Sequence, residues 1–225
     1  MPAYNAARTL LKTYEEIPRN IVDQIILVDD HSQDQTVEIA EKLDLLIIEH
    51  DQNLGYGANQ KTCYQKALEL EADIIIMLHP DYQHDPKLIK PMVKKIIKEN
   101  FDLVLGSRFL NTNPLKKGMP KYKYLANRFL SFGANKILGL NLSEYHTGYR
   151  VFSAKVLKNI DFQKLDNGFI FDFQILIQAH KQKFKIAEIS CPARYQKESS
   201  SIGFWQSLIY GFQVLLFLIK YNNKV

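Results

Sequence analysis

The chain has 225 residues, with 29 Lys and Arg against 24 Asp and Glu, a net charge of +5 and a pI near 9.0. At 46% apolar and 24% charged residues, it is neither disordered nor a low-complexity chain. Two cysteines, Cys63 and Cys191, exclude a disulfide framework and a Cys-rich zinc module, and fit a reduced, cytosolic setting. The size suits one large domain, or one domain with a small appendage. The N-terminal Met1-Pro2-Ala3-Tyr4-Asn5 has no basic stretch followed by an apolar one, so no signal peptide is expected. The longest apolar run, Val214 to Ile219, is far shorter than the roughly 18 residues of a spanning helix. The positive balance leaves nucleic acid, an anionic membrane or a phosphorylated substrate as partner classes.

Strand-length apolar runs alternate with helix-length periodic segments. Met1 to Asn5 reads as the end of a strand turning toward a helix, with the strand itself missing, either because the sequence begins late or because the protein lacks a central strand. Ile25–Val28, Leu45–Ile48, Ile74–Leu78 and Leu103–Leu105 read as strands. Asp34–Leu43, Tyr56–Leu70 and Pro86–Lys98 read as the helices between them. The last starts at Asp85-Pro86, an N-cap followed by Pro at the first helical position. This alternation, with fully apolar strands, predicts an α/β fold: a mostly parallel sheet with helices on both faces. Ligands of such sheets bind beyond the strands' carboxyl ends. Further on, Asn111–Lys123 reads as a loop, Tyr124–Leu138 as a helix, and Ser143–Phe152 as a dense polar and aromatic segment. Phe169–His180 reads as a helix, Lys185–Ile189 as a strand and Arg194–Ser201 as a polar loop. Phe204–Tyr221 is a strongly apolar final helix. Residues 1–203 are expected to form the domain and 204–225 a C-terminal amphipathic or apolar helix.

Candidate chemistry gathers where strands end. Asp29 and Asp30 follow a buried strand and suit hydrogen bonding to a base edge or ribose, while Asp34 reads as a helix cap. Asn53, Gly55 and Gly57 lie between a strand and a helix. There glycine permits close backbone approach to a ligand, or simply a tight loop. His79, Asp81 and Gln83 occupy alternate positions past a strand. In extended backbone they would point one way and share a divalent cation. Arg108 suits bidentate phosphate contact, and Arg128 is a second candidate. Glu144, His146 and Arg150 surround Gly148 and offer a general base, an acceptor clamp and a phosphate contact. Asp172, a lone carboxylate among aromatics, needs a partner and is expected to orient Arg150 or another loop group. Lys197–Ser201 reads either as a lid over phosphates or as a solvent loop. The final helix is apolar on more than one face, with Lys220 and Lys224 near its end, and suits an interfacial membrane contact or a homo-oligomer.

The ordered set Pro2-Ala3-Tyr4-Asn5, Val28 through Thr36, Asn53 through Ala58, Asp81 through Pro86, Gly106-Ser107-Arg108 and Thr147 through Arg150 resembles glycosyltransferase family 2. Within that family it resembles the dolichyl-phosphate mannosyltransferase-like group. The resemblance implies a GT-A, Rossmann-like fold and an inverting sugar transfer from a UDP- or GDP-sugar. It puts Pro2, Ala3, Tyr4, Asn5, Asp29, Asp30, Asn53, Gly57, Arg108 and Arg128 at the donor. The family's Asp-x-Asp motif falls on His79-Pro80-Asp81, with Gln83 following, so His79 replaces the first Asp. These residues would hold Mg²⁺ or Mn²⁺. Asp81, Arg108, Glu144 and His146 are the expected catalytic set, with Glu144 on the acceptor side.

The leading expectation is transfer to polyprenyl phosphate, peripherally at the cytoplasmic face of a membrane. Alternatives are transfer to a glycan or protein hydroxyl, and a non-catalytic nucleotide-sugar-binding homologue. A nucleic-acid partner is not expected, because the basic residues are scattered.

Overall fold

A computed structural model describes residues 1–195 and 203–222. In the first half, β1 (Pro2–Ala3), β2 (Ile26–Asp29), β3 (Leu46–Glu49) and β4 (Ile74–Met77) alternate with α1 (Leu10–Glu15), α2 (Thr36–Lys42) and α3 (Tyr56–Glu69). Next come α4 (Ile89–Glu99), β5 (Leu103–Ser107), α5 (Lys121–Leu138), β6 (Arg150–Ser153) and α6 (Ala154–Asn159). The chain closes with α7 (Phe171–Lys181), β7 (Ile186–Ser190) and α8 (Phe204–Asn222).

Local chemistry explains several boundaries. Asp85 Oδ1 accepts from Lys87 N at 3.0 Å, and Pro86 opens the short 3-10 turn that leads into α4. Asn100, at φ 55°, ends α4 in the left-handed conformation, and Gly139, at φ 66°, ends α5 the same way, as helix C-caps commonly do. Asp34 accepts from Thr36 N at 3.0 Å and from Ala7 N at 3.1 Å, so it tethers the start of α2 as expected of a capping group.

The strands form two sheets. One is parallel, in the order β1-β2-β3; the other is mixed, in the order β4-β6-β5-β7. Pro2 pairs with Val28 and Ala3 with Asp29, so β1 contributes two rungs. The α/β layering follows the sequence pattern. Three elements do not: α1, α6 and β6. β6 runs antiparallel between β4 and β5 and is only four residues long. It opens on Arg150, so neither an apolar run nor a turn signal marks it. α1 and α6 have six residues each, too few for a 3.6-residue period to stand out.

Two apolar clusters cover the sheet faces. One joins Tyr64 of α3, Phe152 of β6, and Phe171 and Phe173 of α7 with Val214 and Leu218 of α8. The other joins Leu10 of α1 and Met92 of α4 with Leu27, Val104 and Val151. α8 therefore buries one stripe against the domain: Leu218 is 1% exposed, and Phe217 meets Phe173 edge to face at 6.0 Å. Truncating a buried Leu removes transfer free energy and leaves a cavity. Leu218→Ala is expected to cost about 2–5 kcal/mol of stability, measured by chemical denaturation. A cost near zero would show that α8 is not packed on the core.

Candidate active site

A cavity of about 200 Å³ opens where β4 and β5 end. Tyr56 opens α3 at its rim. His79, Asp81 and Gln83 come from the segment after β4, and Arg108 follows β5 directly. Lys123 and Asn127 reach in from α5, His146 and Gly148 from the loop before β6, Asp172 from α7 and Tyr210 from α8. Of the expected catalytic and metal residues, His79, Asp81, Gln83, Arg108 and His146 thus share one cavity wall.

Two buried guanidinium groups organise the floor. Arg150 is fully buried. It donates to Thr147 O at 2.8 Å, Tyr145 O at 3.1 Å and Asp172 O at 2.5 Å, and its Nε lies 3.8 Å from Asp172 Oδ1. It is therefore a clamp on the 145–147 loop rather than a phosphate contact, and Asp172 takes the supporting role expected of it. Arg108 donates through Nε to Glu144 Oε1 at 2.8 Å and through Nη2 to the same oxygen. Its backbone N donates to Glu144 Oε2 at 2.7 Å. Asn127 Nδ2 adds a bond to Glu144 Oε1 at 3.0 Å. Glu188 of β7 fixes the same loop by accepting from Ser143 N at 2.7 Å and Glu144 N at 3.1 Å.

This arrangement makes Glu144 the counter-ion of Arg108. Burial by itself would raise its pKa, but the adjacent Arg108 guanidinium more than offsets that, and the carboxyl is held below its usual range. A fully buried, ion-paired carboxylate has little capacity to take a proton. Glu144 instead orients Arg108, whose pKa rises because Glu144 outweighs desolvation.

The imidazoles are neutral. Burial pushes His79 down to about 4, with Asp172 opposing in part. Burial likewise takes His146 to about 4, with Glu144 opposing. His146 Nδ1 meets Tyr210 Oη at 2.5 Å, while its buried Nε2 has no protein partner. His79 stacks on Tyr56 at 5.2 Å, with Nε2 3.2 Å from the Tyr56 hydroxyl. That hydroxyl donates to Asp172 Oδ2 at 2.6 Å. A Cβ at Gly148 would stand 2.7 Å from both His79 Nε2 and Tyr56 Oη, so only glycine lets the loop pass this close.

The alternation argument for His79, Asp81 and Gln83 does not hold. β4 ends at Met77 and Tyr82 has φ 56°, so the backbone is not extended through the motif. Asp81 Oδ1 turns back to accept from Gln83 N at 3.0 Å. All three side chains reach the cavity, but His79 spends its Nε2 on Tyr56. The other donor candidates lie outside this cavity. Asn5 Oδ1 accepts from Gln33 N at 2.8 Å, and Asp29 accepts from Ser32 N at 2.8 Å. Asp30 accepts from Leu54 N at 2.9 Å and Gly55 N at 3.0 Å, and pairs with His50 at 2.8 Å. Asn53 Nδ2 donates to Asp30 O at 3.1 Å. Pro2 and Ala3 form the β1 ladder, and Tyr4 is exposed.

Gly57 does not cradle a ligand. Its N donates to Asn167 O at 2.7 Å, and a Cβ there would meet Asp166 O at 2.7 Å. Arg128 is exposed on α5, faces Phe109 at 5.9 Å and donates to Ser143 O at 3.4 Å, while Lys123 lines the cavity. The expected 197–201 lid lies outside the described residues. Sequence reasoning missed Tyr56, Lys123, Asn127 and Tyr210. Tyr56, Asn127 and Tyr210 sit within helical patterns and Lys123 within a segment that reads as a loop, so only the packing of α3, α5 and α8 aims them at the site.

The neutral imidazoles couple stability to pH. Free imidazole titrates near 6.5, so between about 6.5 and 4 the unfolded chain binds protons that the folded chain refuses. Stability is complete above that window and falls as pH drops through it. The loss is on the order of 3 kcal/mol per imidazole at most, less whatever the partial exposure of each ring screens. Thermal melts from pH 7 to 4.5 are expected to show a falling Tm whose slope His79→Gln with His146→Gln reduces, the buried His84, also held well below its ordinary value by burial, keeping the rest. A level wild-type profile would contradict the neutral, buried rings.

Three comparisons place the chain among known proteins. The family model of Glycosyl transferase family 2 matches residues 1–161. An N-acetylglucosaminyltransferase of Methanococcus voltae, named for UDP-N-acetylglucosamine and dolichyl phosphate, is 30% identical over 97% of this chain and 93% of its own. An uncharacterised protein of Methanocaldococcus jannaschii is 31% identical over 97% of this chain and 89% of its own. Among solved structures, glucosyl-3-phosphoglycerate synthase of Mycobacterium tuberculosis, crystallised with Mn²⁺ and UDP-glucose, superposes with a TM-score of 0.72 at 18% identity. That match covers 97% of this chain and 76% of the synthase chain. With its GT-A-type α/β sheet and a family match over most of its length, the chain belongs to glycosyltransferase family 2.

Proposed function

We propose that this protein transfers a sugar, with inversion, from a nucleotide-diphosphate sugar to a polyprenyl phosphate. The observation that carries the acceptor class is the state of the expected bases. Glu144 is locked to Arg108, and His146 is neutral with a pKa near 4. A hydroxyl acceptor needs a base matched to the working pH. A phosphate acceptor is already ionised and needs none. Arg108 and Lys123 in the same cavity suit its charge and that of the leaving diphosphate. The relative named for UDP-N-acetylglucosamine and dolichyl phosphate supports this acceptor and makes a UDP-sugar the first donor to test.

On the donor side, Asn5, Asp29, Asp30 and Asn53, beyond β1 and β2, form the nucleotide end, with Tyr4 exposed beside them. Among the described residues no three His, Cys, Asp or Glu side chains form a self-sufficient metal site. The carboxylate of Asp81 and the amide of Gln83 fit a hard cation that completes its shell with diphosphate oxygens. Bound there, Mg²⁺ or Mn²⁺ supplies charge neutralisation for the departing diphosphate. Arg108 holds the phosphate, Glu144 fixes Arg108, and His146 Nε2 is directed at the transferred group or the acceptor.

The cavity lies between α5 and α8, which pack side by side. Their outer surfaces leave Leu125, Phe129, Phe132, Trp205, Ile209 and Phe212 exposed. α5 carries Lys121, Lys123, Arg128 and Lys136, and neither helix has an acidic residue. Exposed aromatics flanked by cations suit the headgroup layer of an anionic bilayer, where a lipid-linked acceptor keeps its tail. No described helix is long and apolar enough to cross a membrane; the proposed contact is made by these two outer faces.

Purified protein with Mg²⁺ or Mn²⁺, polyprenyl phosphate and a panel of UDP- and GDP-sugars is expected to yield a polyprenyl-phosphate sugar. Asp81→Asn is expected to lower the rate on the order of 100-fold or more, as for loss of an electrostatic group. Donor binding without transfer to any acceptor would favour the non-catalytic homologue. In flotation with phosphatidylglycerol vesicles, Phe129→Asp with Trp205→Asp is expected to release most of the bound protein. Unchanged flotation would remove the membrane reading.

A further inference from the structure

The turn that carries Asp81 and Gln83 is held from behind by residues far away in sequence. Asp81 and Gln83 both line the active-site cavity, while Tyr82 between them does not. Tyr82 has φ 56°, a left-handed conformation that a bulky side chain rarely adopts. Such a conformation persists only where its surroundings over-determine it. Three contacts do so here.

The first comes from Glu16, which caps the C-terminal end of α1. The Tyr82 hydroxyl donates to Glu16 Oε1. The second comes from Arg194, in the segment after β7. Its guanidinium carbon stands 4.2 Å from the centre of the Tyr82 ring, within the range of a cation–π contact. Nη1 and Nη2 of Arg194 each donate to Glu16 Oε2 at 3.2 Å. The two oxygens of one carboxylate thus serve the ring and the cation that covers it. The third contact is a backbone bond: Arg194 N donates to Gln83 O at 2.8 Å.

A partly exposed ion pair contributes little to stability by itself, and the Glu16 and Arg194 side chains are 22% and 29% exposed. What sets this pair apart is the place it grips. The downstream end of the turn has supports of its own. Asp85 Oδ1 accepts from Lys87 N at 3.0 Å, and Asp85 O accepts from the Tyr149 hydroxyl at 3.2 Å. Arg194 Nη2 lies farther from that residue, 3.7 Å from Asp85 Oδ2. Loss of the clasp would therefore leave the entry to α4 in place and release residues 81–83. The clasp is also anchored to the strand that aims Arg108. β7 pairs with β5 as far as Ser107 and Ser190, and Cys191 N donates to Ser107 O at 2.7 Å. One strand pair thus leads to Arg108 on one chain and, three residues past Cys191, to Arg194 on the other.

We propose that Glu16 and Arg194 are positioning residues: by clasping Tyr82 they hold Asp81 and Gln83 toward a divalent cation shared with the donor diphosphate. This rests on Asp81 and Gln83 being the residues that hold that cation. Neither Glu16 nor Arg194 lines the cavity; both act through Tyr82. Outer partners of this kind fix the direction of metal-binding groups before the metal arrives, so their loss is felt in metal affinity.

The test reads binding rather than transfer. The 225-residue chain is titrated calorimetrically with UDP and with GDP, each with and without Mn²⁺. In the wild type, Mn²⁺ is expected to tighten the binding of at least one of the two nucleotides. Arg194→Ala is expected to cut that gain at least about tenfold. Tyr82→Phe, which loses one oxygen, is expected to cut it at least about threefold. Affinity without Mn²⁺ should stay as in the wild type for both. Circular dichroism checks folding, and Tyr82→Phe carries the test if Arg194→Ala does not fold. A full Mn²⁺ gain in the folded variants would make the clasp a staple of the fold alone and overturn the proposal. An equal loss with and without Mn²⁺ would place the effect on the nucleotide end and overturn it too. A wild type indifferent to Mn²⁺ would sink the cation reading of Asp81 and Gln83, and the positioning role with it.

Discussion

The site depends on one buried cation. Arg150 sits at the start of the antiparallel strand β6, wholly out of water, and a guanidinium there is tolerable only if each donor finds an acceptor. It finds them in Thr147 O, Tyr145 O and Asp172 O, with the Asp172 carboxylate nearby. Two chains of contact start from this point. One runs through the 145–147 loop to His146 and, two residues earlier, to Glu144 and hence Arg108. The other runs through Asp172 to the Tyr56 hydroxyl and on to His79. Removing the charge would leave the buried Asp172 with the Tyr56 hydroxyl but without its cation, and would free the loop that carries His146 and Gly148.

Placing β6 antiparallel has a second effect. It brings the 143–148 segment back over the ends of β4 and β5, which a purely parallel sheet would leave to connecting loops. Glu188 of β7 then fixes the segment's other end through Ser143 and Glu144. The cavity is thus built from rigid pieces: strand ends below, α5 and α8 at the side, and a loop held at both ends by buried charges. Such support is what lets Arg108, a long and flexible side chain, stay aimed at one place.

Much of this was legible from local chemistry. The apolar runs marked β2 to β5 and β7, because buried parallel strands need continuous hydrophobic residues. Asp85-Pro86 marked the entry to α4, and Asp34 the start of α2, because capping is a local interaction. Arg108, Asp81 and His146 stood out as polar groups at strand ends, and all three reach the cavity. Asp172 was legible as a buried carboxylate in need of a partner. What was not legible depended on neighbours distant in sequence. Glu144 reads as a base until Arg108, 36 residues earlier, is seen to neutralise it. Gly57 reads equally as a ligand-contacting glycine or a tight-loop glycine until the 166–171 turn fills the space beside it. Arg128 and Lys123 are equivalent cations in the sequence, and only the orientation of α5 separates the one at the cavity from the one on its outer surface.

The sequence by itself determined the layered α/β architecture, the strand ends as the place of chemistry and the family pattern, because periodicity, caps and motif order are properties of short segments. Tertiary structure decided protonation states and partners. A carboxylate is a base or a counter-ion according to the charge that folding brings beside it, and an imidazole is neutral because folding removes its water.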